Sequence, residues 1–391
     1  MASARVDHTP STRVSIPEMV GIGFPCDREL QRDSLPFPAG TRLISSDSHW
    51  LETGDVWTSR FPEHLRDKAP KVVRTPKGWN IEVGGRMRFP DIITEAQDTF
   101  ECLPGMSEVE ARLADLDAEG VEKELLFPQK VLSLIREADL EARAWVFRGY
   151  NQYIASICAQ APDRLYGVGI ANFWDPDAFE SSIEEIRALG LKAIMAPIMP
   201  GQRPDGTDIL YASPEMDPFW SAVEKSVLPF CFHIGEAVKI DSFGGLGAHF
   251  LSQTGGFRLN WGALTFGGVF DRHPALKVVF VEAGINWVAG AIQDADLAYE
   301  AFHPLMTPQL RHTPSWYWFN HCYATFMTDA AGLALLDFIG ADRVMWSTDY
   351  PHNESTVGYT RSAAHAVFAA TSEDNAKKIV GETALDVFDM R

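Results

Sequence analysis

Leu228-Pro229-Phe230-Cys231-Phe232-His233 is an apolar run of strand length that ends in an imidazole. Seven other short apolar runs punctuate the chain, at residues 43–47, 123–127, 165–171, 191–196, 277–282, 322–327 and 343–349. Most are rich in Val, Ile, Phe or Leu without strict polar alternation, which is how strands covered on both faces read. Helix signals fill the gaps. Asp175-Pro176 starts a helix with Phe179, Ile183 and Ile186 at helical spacing, and Gly190 stops it. Ser213-Pro214 starts another, with Phe219, Trp220 and Val223 on its apolar side, and a longer one over 139–161 ends at Pro162. Strands alternating with helices predict a parallel sheet, and eight of them predict closure into a (β/α)8 TIM barrel. An open doubly wound sheet is the alternative. No G-x-G-x-x-G or P-loop glycine pattern follows any run, so nucleotide binding has no support.

Regularity fails after the first run. About fifty residues precede the next helix, far beyond the 2–6 of an ordinary βα loop. Within them, residues 71–74, 79–83 and 86–89 read as small antiparallel strands, with turns at Lys77-Gly78 and Gly84-Gly85. The organisation expected is an N-terminal arm over 1–40, partly irregular, and a barrel over 41–391 carrying an antiparallel insertion at about 53–105 after strand 1. Loops after strands lie at the barrel mouth, so this insertion and the glycine-rich stretch 235–259 read as lids, substrate walls or dimer contacts.

The net charge of -19 argues against nucleic acid or an anionic membrane as partner, because phosphates would be repelled. No stretch is long and apolar enough to span a bilayer, and residues 1–20 lack a signal-peptide core. The five cysteines are scattered without a C-x-x-C pair and read as free thiols of a cytoplasmic protein.

In barrels of this kind, functional groups project from the C-terminal ends of strands. Strand one ends in Ser46-Asp47-Ser48-His49, strand five in His233, strand six in Glu282 and strand eight in Thr348-Asp349. Any one of these reads as a helix cap or a core histidine. Four converging on one mouth read as a metal site. The Asp-x-His spacing puts Asp47 and His49 on one face of an extended segment, within reach of one ion. His352 follows Asp349 closely and reads equally as a turn-packing residue or a donor to substrate. Glu52 reads as a support for the ligands and His249 as a residue able to reach the mouth. Lys192 starts its strand, at the wrong end to bridge metals. Trp50, Trp57, Trp174 and Trp287 lie near strand ends and suit a substrate pocket or core packing equally.

Several motifs carry a resemblance. They are Ser46-Asp47-Ser48-His49-Trp50-Leu51-Glu52, Asp55-Val56-Trp57, Arg66-Asp67-Lys68-Ala69-Pro70 and Arg112-Leu113-Ala114-Asp115-Leu116-Asp117. Pro162-Asp163-Arg164-Leu165, Phe232-His233-Ile234-Gly235, the stretch 279–287 and Ser347 to His352 follow in order. On these the chain resembles the amidohydrolase-related family (amidohydrolase 2 type), metal-dependent TIM-barrel hydrolases whose branch includes decarboxylases of aromatic and unsaturated acids. The resemblance implies that Asp47, His49, His233 and Asp349 are metal ligands. Two departures stand out. The superfamily's hydrolases usually carry His-x-His after strand one, where this chain has Asp47. Its decarboxylases usually place a catalytic histidine after strand six, where this chain has Glu282; His273 precedes that strand.

Glu282 then reads as a fifth ligand or a general base, with Asp349 and His352 as further catalytic candidates. Carboxylates mixed with imidazoles suit zinc, manganese or iron, as one ion or two. The function expected is a metal-dependent hydrolase or decarboxylase/lyase acting on a small, partly apolar substrate bearing a carboxylate or carbonyl. The alternative is a non-heme di-iron oxygenase hydroxylating a hydrophobic substrate on the same barrel. An exposed arm and a long insertion would suit a homodimer.

Overall fold

Each of the eight apolar runs forms a strand in the computed structural model, which describes residues 23–30, 36–203, 205–235 and 244–391 without the side chains of 246, 249, 250 and 253–256. Strand β1 is Ile44–Trp50. An excursion follows it, carrying β2 (Lys71–Thr75), β3 (Gly78–Val83) and β4 (Arg86–Met87). These three pair antiparallel, with Gly84 and Gly85 supplying the positive φ of the second turn. The remaining strands are β5 (Lys123–Pro128), β6 (Leu165–Ile170), β7 (Ala193–Met195), β8 (Phe230–His233), β9 (Val278–Val281), β10 (Cys322–Phe326) and β11 (Val344–Trp346).

Apart from the excursion, strands pair parallel in the order β1-β5-β6-β7-β8-β9-β10-β11, as a (β/α)8 barrel requires. Its first and last strands meet end on. The N–H of Asp349 donates to Asp47 O at 2.9 Å, that of His49 to Tyr350 O at 2.8 Å, and Ser46 Oγ to Trp346 O at 2.8 Å. On the other side of β1 the ladder slips: Ser45 faces Glu124 but Ser48 faces Leu126. Ser46-Asp47 therefore contains one extra residue, a β-bulge that re-aims the end of the strand.

Two buried layers hold the barrel. The inner one joins Leu125, Phe127, Val168, Met195, Cys231, Val279 and Met345 to Leu385 of the C-terminal helix Thr383–Val387 and to Phe388 just after it. Lys123 Nζ bonds Met390 O at 2.7 Å, fixing that helix across the N-terminal ends of the strands. The outer layer packs Leu126, Ile170, Ile194, Phe230 and Phe280 against the helices. With the bottom plugged, the open end is the one where strands terminate in ionisable residues.

Two expectations need correction. The glycine-rich stretch 235–259 is not all loop, because a helix spans Gly245–Phe266. Its glycines disfavour helix intrinsically, but Phe257, Trp261 and Leu264 recur at i, i+4 and i+7 and are buried. Packing of that stripe outweighs propensity. Residues 236–243 and the side chain of His249 lie outside the described residues. The cysteines are not all free: Cys26 pairs with Cys102 across a separation of 76 residues, Cα–Cα 6.1 Å, while Cys158, Cys231 and Cys322 are free thiols. No local spacing could reveal that pair, which forms because the arm lies against the excursion. Among the described residues no helix is long and apolar enough to cross a membrane.

Candidate metal centre

Asp47 and His49 stand in the last turn of pleat of β1, His233 ends β8, Glu282 follows β9 and Asp349 follows β11. The structure brings all five together. His233 Nε2 lies 3.3 Å from Asp47 Oδ1 and 3.2 Å from Glu282 Oε2. His49 Nε2 lies 3.4 Å from Asp349 Oδ1, and 3.9 Å from both Asp47 Oδ1 and Glu282 Oε2. His352 joins them, its Nδ1 3.1 Å from Asp349 Oδ1 and 3.4 Å from Glu282 Oε1, its ring stacked on His49 at 4.0 Å. The donor atoms fall into two groups, Asp47-His49-His233-Glu282 and His49-Glu282-Asp349-His352, each within 4.8 Å.

The two strand-end histidines are turned for coordination. Nδ1 of His49 faces Pro128 O at 3.1 Å, and Nδ1 of His233 faces Ile234 O at 2.7 Å. A carbonyl only accepts, so each Nδ1 carries the hydrogen and each Nε2 presents its lone pair to the cluster. Asp47 Oδ2, His49 Nε2 and Asp349 Oδ2 make no hydrogen bond to any described residue, although all are buried. Three carboxylates sharing one buried mouth are costly unless cations compensate them. A divalent ion meets both conditions, and the donor set fits one.

Burial and neighbours divide the charges. Desolvation, followed by the charge of His352, lowers His49 to about 4. Desolvation alone would lower His233 too, but Asp47 and Glu282 outweigh it and its pKa is raised. Burial pushes Glu282 up, yet His233, His352 and His49 hold it below the usual carboxylate range. Asp349 is pushed well up by burial, against His352 and with the help of Glu282. His352 is raised well above its ordinary value because Asp349 and Glu282 outweigh its desolvation.

Two of the carboxylates occupy strained backbone. Glu282 has φ 72° and Asp349 φ 54°, the left-handed region that costs a non-glycine residue about 1–3 kcal/mol. Surrounding bonds fix them there. Thr325 Oγ1 accepts the N–H of Glu282 at 2.9 Å, and Asp47 O accepts that of Asp349. The turn after Glu282 is tied down by Asp329, whose Oδ2 accepts from Ile285 N, Asn286 N and Asn286 Nδ2 at 2.7, 2.8 and 3.0 Å.

Sequence reasoning missed several supports. Arg112, quoted only within a motif, is wholly buried and bonds both oxygens of Glu124 at 2.9 and 3.0 Å. It also donates to Gly105 O and to His49 O, and its guanidinium lies 3.9 Å from the Tyr350 ring centroid. Asp115 accepts from the Tyr350 hydroxyl at 2.6 Å. The Arg-Leu-Ala-Asp motif thus grips the loops of both His49 and Asp349. Periodicity could not show this, because an Arg three residues before an Asp on a helix reads as a solvated face. Glu52 does not touch the centre; it accepts the main-chain N–H groups of residues 129–131. Lys192 pairs with Asp389 at 3.0 Å, and His273 with Asp217 at 3.4 Å, both apart from the cluster. Trp50, Trp57 and Trp287 are core residues, with indole N–H groups bonded to Tyr153 Oη, Val146 O and Gly284 O. Trp174 is buried too, under the Arg143 guanidinium at 4.7 Å.

The family described as amidohydrolase matches residues 88–390, which include His233, Glu282 and Asp349. Gamma-resorcylate decarboxylase of Rhizobium radiobacter is 28% identical over 286 residues, covering 65% of this chain and 83% of that protein. Among solved structures, an amidohydrolase from Mycobacterium avium subsp. paratuberculosis superposes with TM-score 0.72 at 20% identity, covering 90% of this chain and 100% of its own. A dihydroxybenzoic acid decarboxylase from Polaromonas, solved with manganese and 2-nitroresorcinol, superposes with TM-score 0.61 at 18% identity, covering 89% of this chain and 97% of its own.

Proposed function

The chain belongs to the amidohydrolase family, and from that membership we propose that it is a metal-dependent decarboxylase of a small, partly apolar carboxylic acid, with Asp47, His49, His233, Glu282 and Asp349 as ligands. The observation carrying this reading is the buried donor cluster at the barrel mouth, in a chain whose curated relatives matched over most of their length are decarboxylases. A bound divalent ion supplies positive charge that orients a substrate oxygen and stabilises charge developing on it.

The chain's own residues account for the rest. Phe127 packs 4.6 Å from the His233 ring and Phe100 5.1 Å from that of His352, giving apolar walls that exclude water. When CO2 leaves, the electron pair of the broken C–C bond stays on carbon, which must take a proton. Asp349 Oδ1 and His352 Nδ1, 3.1 Å apart, are placed to supply it. In this reading that pair replaces the histidine expected where Glu282 stands.

One observation favours a second ion: the two donor groups share His49 and Glu282, and each has four donors. The oxygenase alternative draws no support from the relatives. The test is CO2 release from a panel of hydroxybenzoates under nitrogen, with metal analysis of protein purified without added metal. Turnover without O2, lost to chelator and restored by Mn2+, is expected; strict dependence on O2 overturns the proposal.

A further inference from the structure

His352 has a second partner, on the side away from the carboxylates. Its Nε2 lies 3.0 Å from Gln129 Oε1. The Gln129 amide has one orientation, because its Nε2 faces Glu101 Oε1 at 3.5 Å and a carboxylate oxygen only accepts. The amide oxygen therefore faces the imidazole, Nε2 of His352 carries the hydrogen, and Nδ1 is the atom left for the centre. Glu101 is fixed in turn by Lys130, whose Nζ lies 2.6 Å away, both side chains being wholly buried. Lys130 Nζ also donates to Gln97 Oε1 at 2.6 Å and lies 5.0 Å from the Phe89 ring centroid. Beneath them, Glu52 accepts the N–H groups of Gln129, Lys130 and Val131 at 3.2, 2.7 and 3.3 Å. Phe89, Gln97 and Glu101 all belong to the excursion after β1.

We propose that Gln129 is a positioning residue for the metal centre: held by the Glu101–Lys130 pair, it fixes the ring and tautomer of His352 and couples docking of the excursion to metal affinity. The proposal rests on the metal-centre reading above. A hydrogen bond to the far nitrogen of an imidazole sets how the ring lies and which nitrogen meets the ligating carboxylates Asp349 and Glu282, and the partner of a ligating carboxylate tunes its hold on the ion. Coupling of this kind is reciprocal, so metal that is bound more tightly with the excursion docked must also hold the excursion in place.

Calorimetric titration of the full chain with Mn2+ tests it. Gln129→Leu is expected to lower affinity about 10–100-fold. In a His352→Ala background the same change is expected to cost nothing further, since Gln129 acts only through that ring. Mn2+ is also expected to slow proteolysis within the excursion of the wild type but not of Gln129→Leu. Should Gln129→Leu not fold, Glu101→Gln is read instead, with a smaller loss that again vanishes in His352→Ala. Equal losses in both backgrounds, or wild-type affinity in a folded Gln129→Leu, overturn the proposal. Wild-type protein that binds no Mn2+ overturns the metal-centre reading itself.

Discussion

The main-chain N–H of Asp349 donates to the carbonyl of Asp47 at 2.9 Å, so the seam where the barrel closes runs through the candidate centre. Only backbone atoms make this bond. The side chains of both residues are thereby aimed without being consumed, which separates what they do for chemistry from what they do for the fold.

That separation makes Asp349→Asn informative. Asparagine tolerates the φ of 54° and keeps the seam bond. Without added metal the variant is expected to keep its unfolding midpoint, while turnover with Mn2+ falls roughly 10²–10⁴-fold, the worth of a positioned acid–base group. Steady-state rates beside a denaturation curve check both halves; a folded variant with undiminished turnover removes Asp349 from the chemistry.

Metal should appear in stability as well as in activity. An ion bound only by the folded chain contributes about 2.7 kcal/mol at one hundred times its Kd. Denaturant unfolding with Mn2+ or with chelator is expected to differ by that order in the wild type, and not at all in His233→Ala. An unchanged Mn2+ response in the variant would exclude His233 as a ligand.

Arg112 is expected to be the costliest of the supports to lose. Arg112→Met leaves Glu124 buried and unpaired and releases the His49 carbonyl. Breaking such a pair costs about 3–5 kcal/mol. Arg112→Met with Glu124→Gln should recover a large part of the loss, as urea unfolding of the two variants would reveal.

Glu52 gives the pH profile a definite sign. Desolvation outweighs its backbone hydrogen bonds and raises it from 4.5 to about 7. A carboxyl raised on folding binds its proton more tightly in the folded state. Its stabilising contribution is therefore complete below about 4.5 and is lost as pH rises to about 7. The loss is roughly 3 kcal/mol by the usual conversion of pKa shift to free energy. The difference in unfolding free energy between wild type and Glu52→Gln should change across that window and be flat above it. A difference independent of pH would show that Glu52 is ionised throughout.

The barrel was legible because strands buried on both faces read as unbroken apolar runs, and all eight did. The ends of those runs disclosed Asp47, His49, His233, Glu282 and Asp349 for the same reason: a polar residue closing an apolar strand has few places to go. What escaped was set by tertiary geometry. The bulge at Ser46-Asp47 exists only in the ladder with β5, and the left-handed backbone of Glu282 and Asp349 only in the loops that hold it. His352 could be named as a candidate but not placed, since its value depends on Gln129 and Glu101 from elsewhere in the chain. Helix Gly245–Phe266 was hidden by glycines whose poor propensity is overridden by three buried side chains.

The seam between β1 and the end of β11 also dates the site during biosynthesis. A contact between Asp47 and Asp349 is among the most distant the chain can make, and contacts of long sequence separation form late and slowly. A nascent chain leaving the ribosome carries Asp47 and His49 early, but their partners on β8, β9 and β11 emerge long afterwards. Until then the first pair offers an ion only two donors. In the proposed reading, metal loading is expected only after β11 has docked on β1, so that a bound ion would report closure of the barrel.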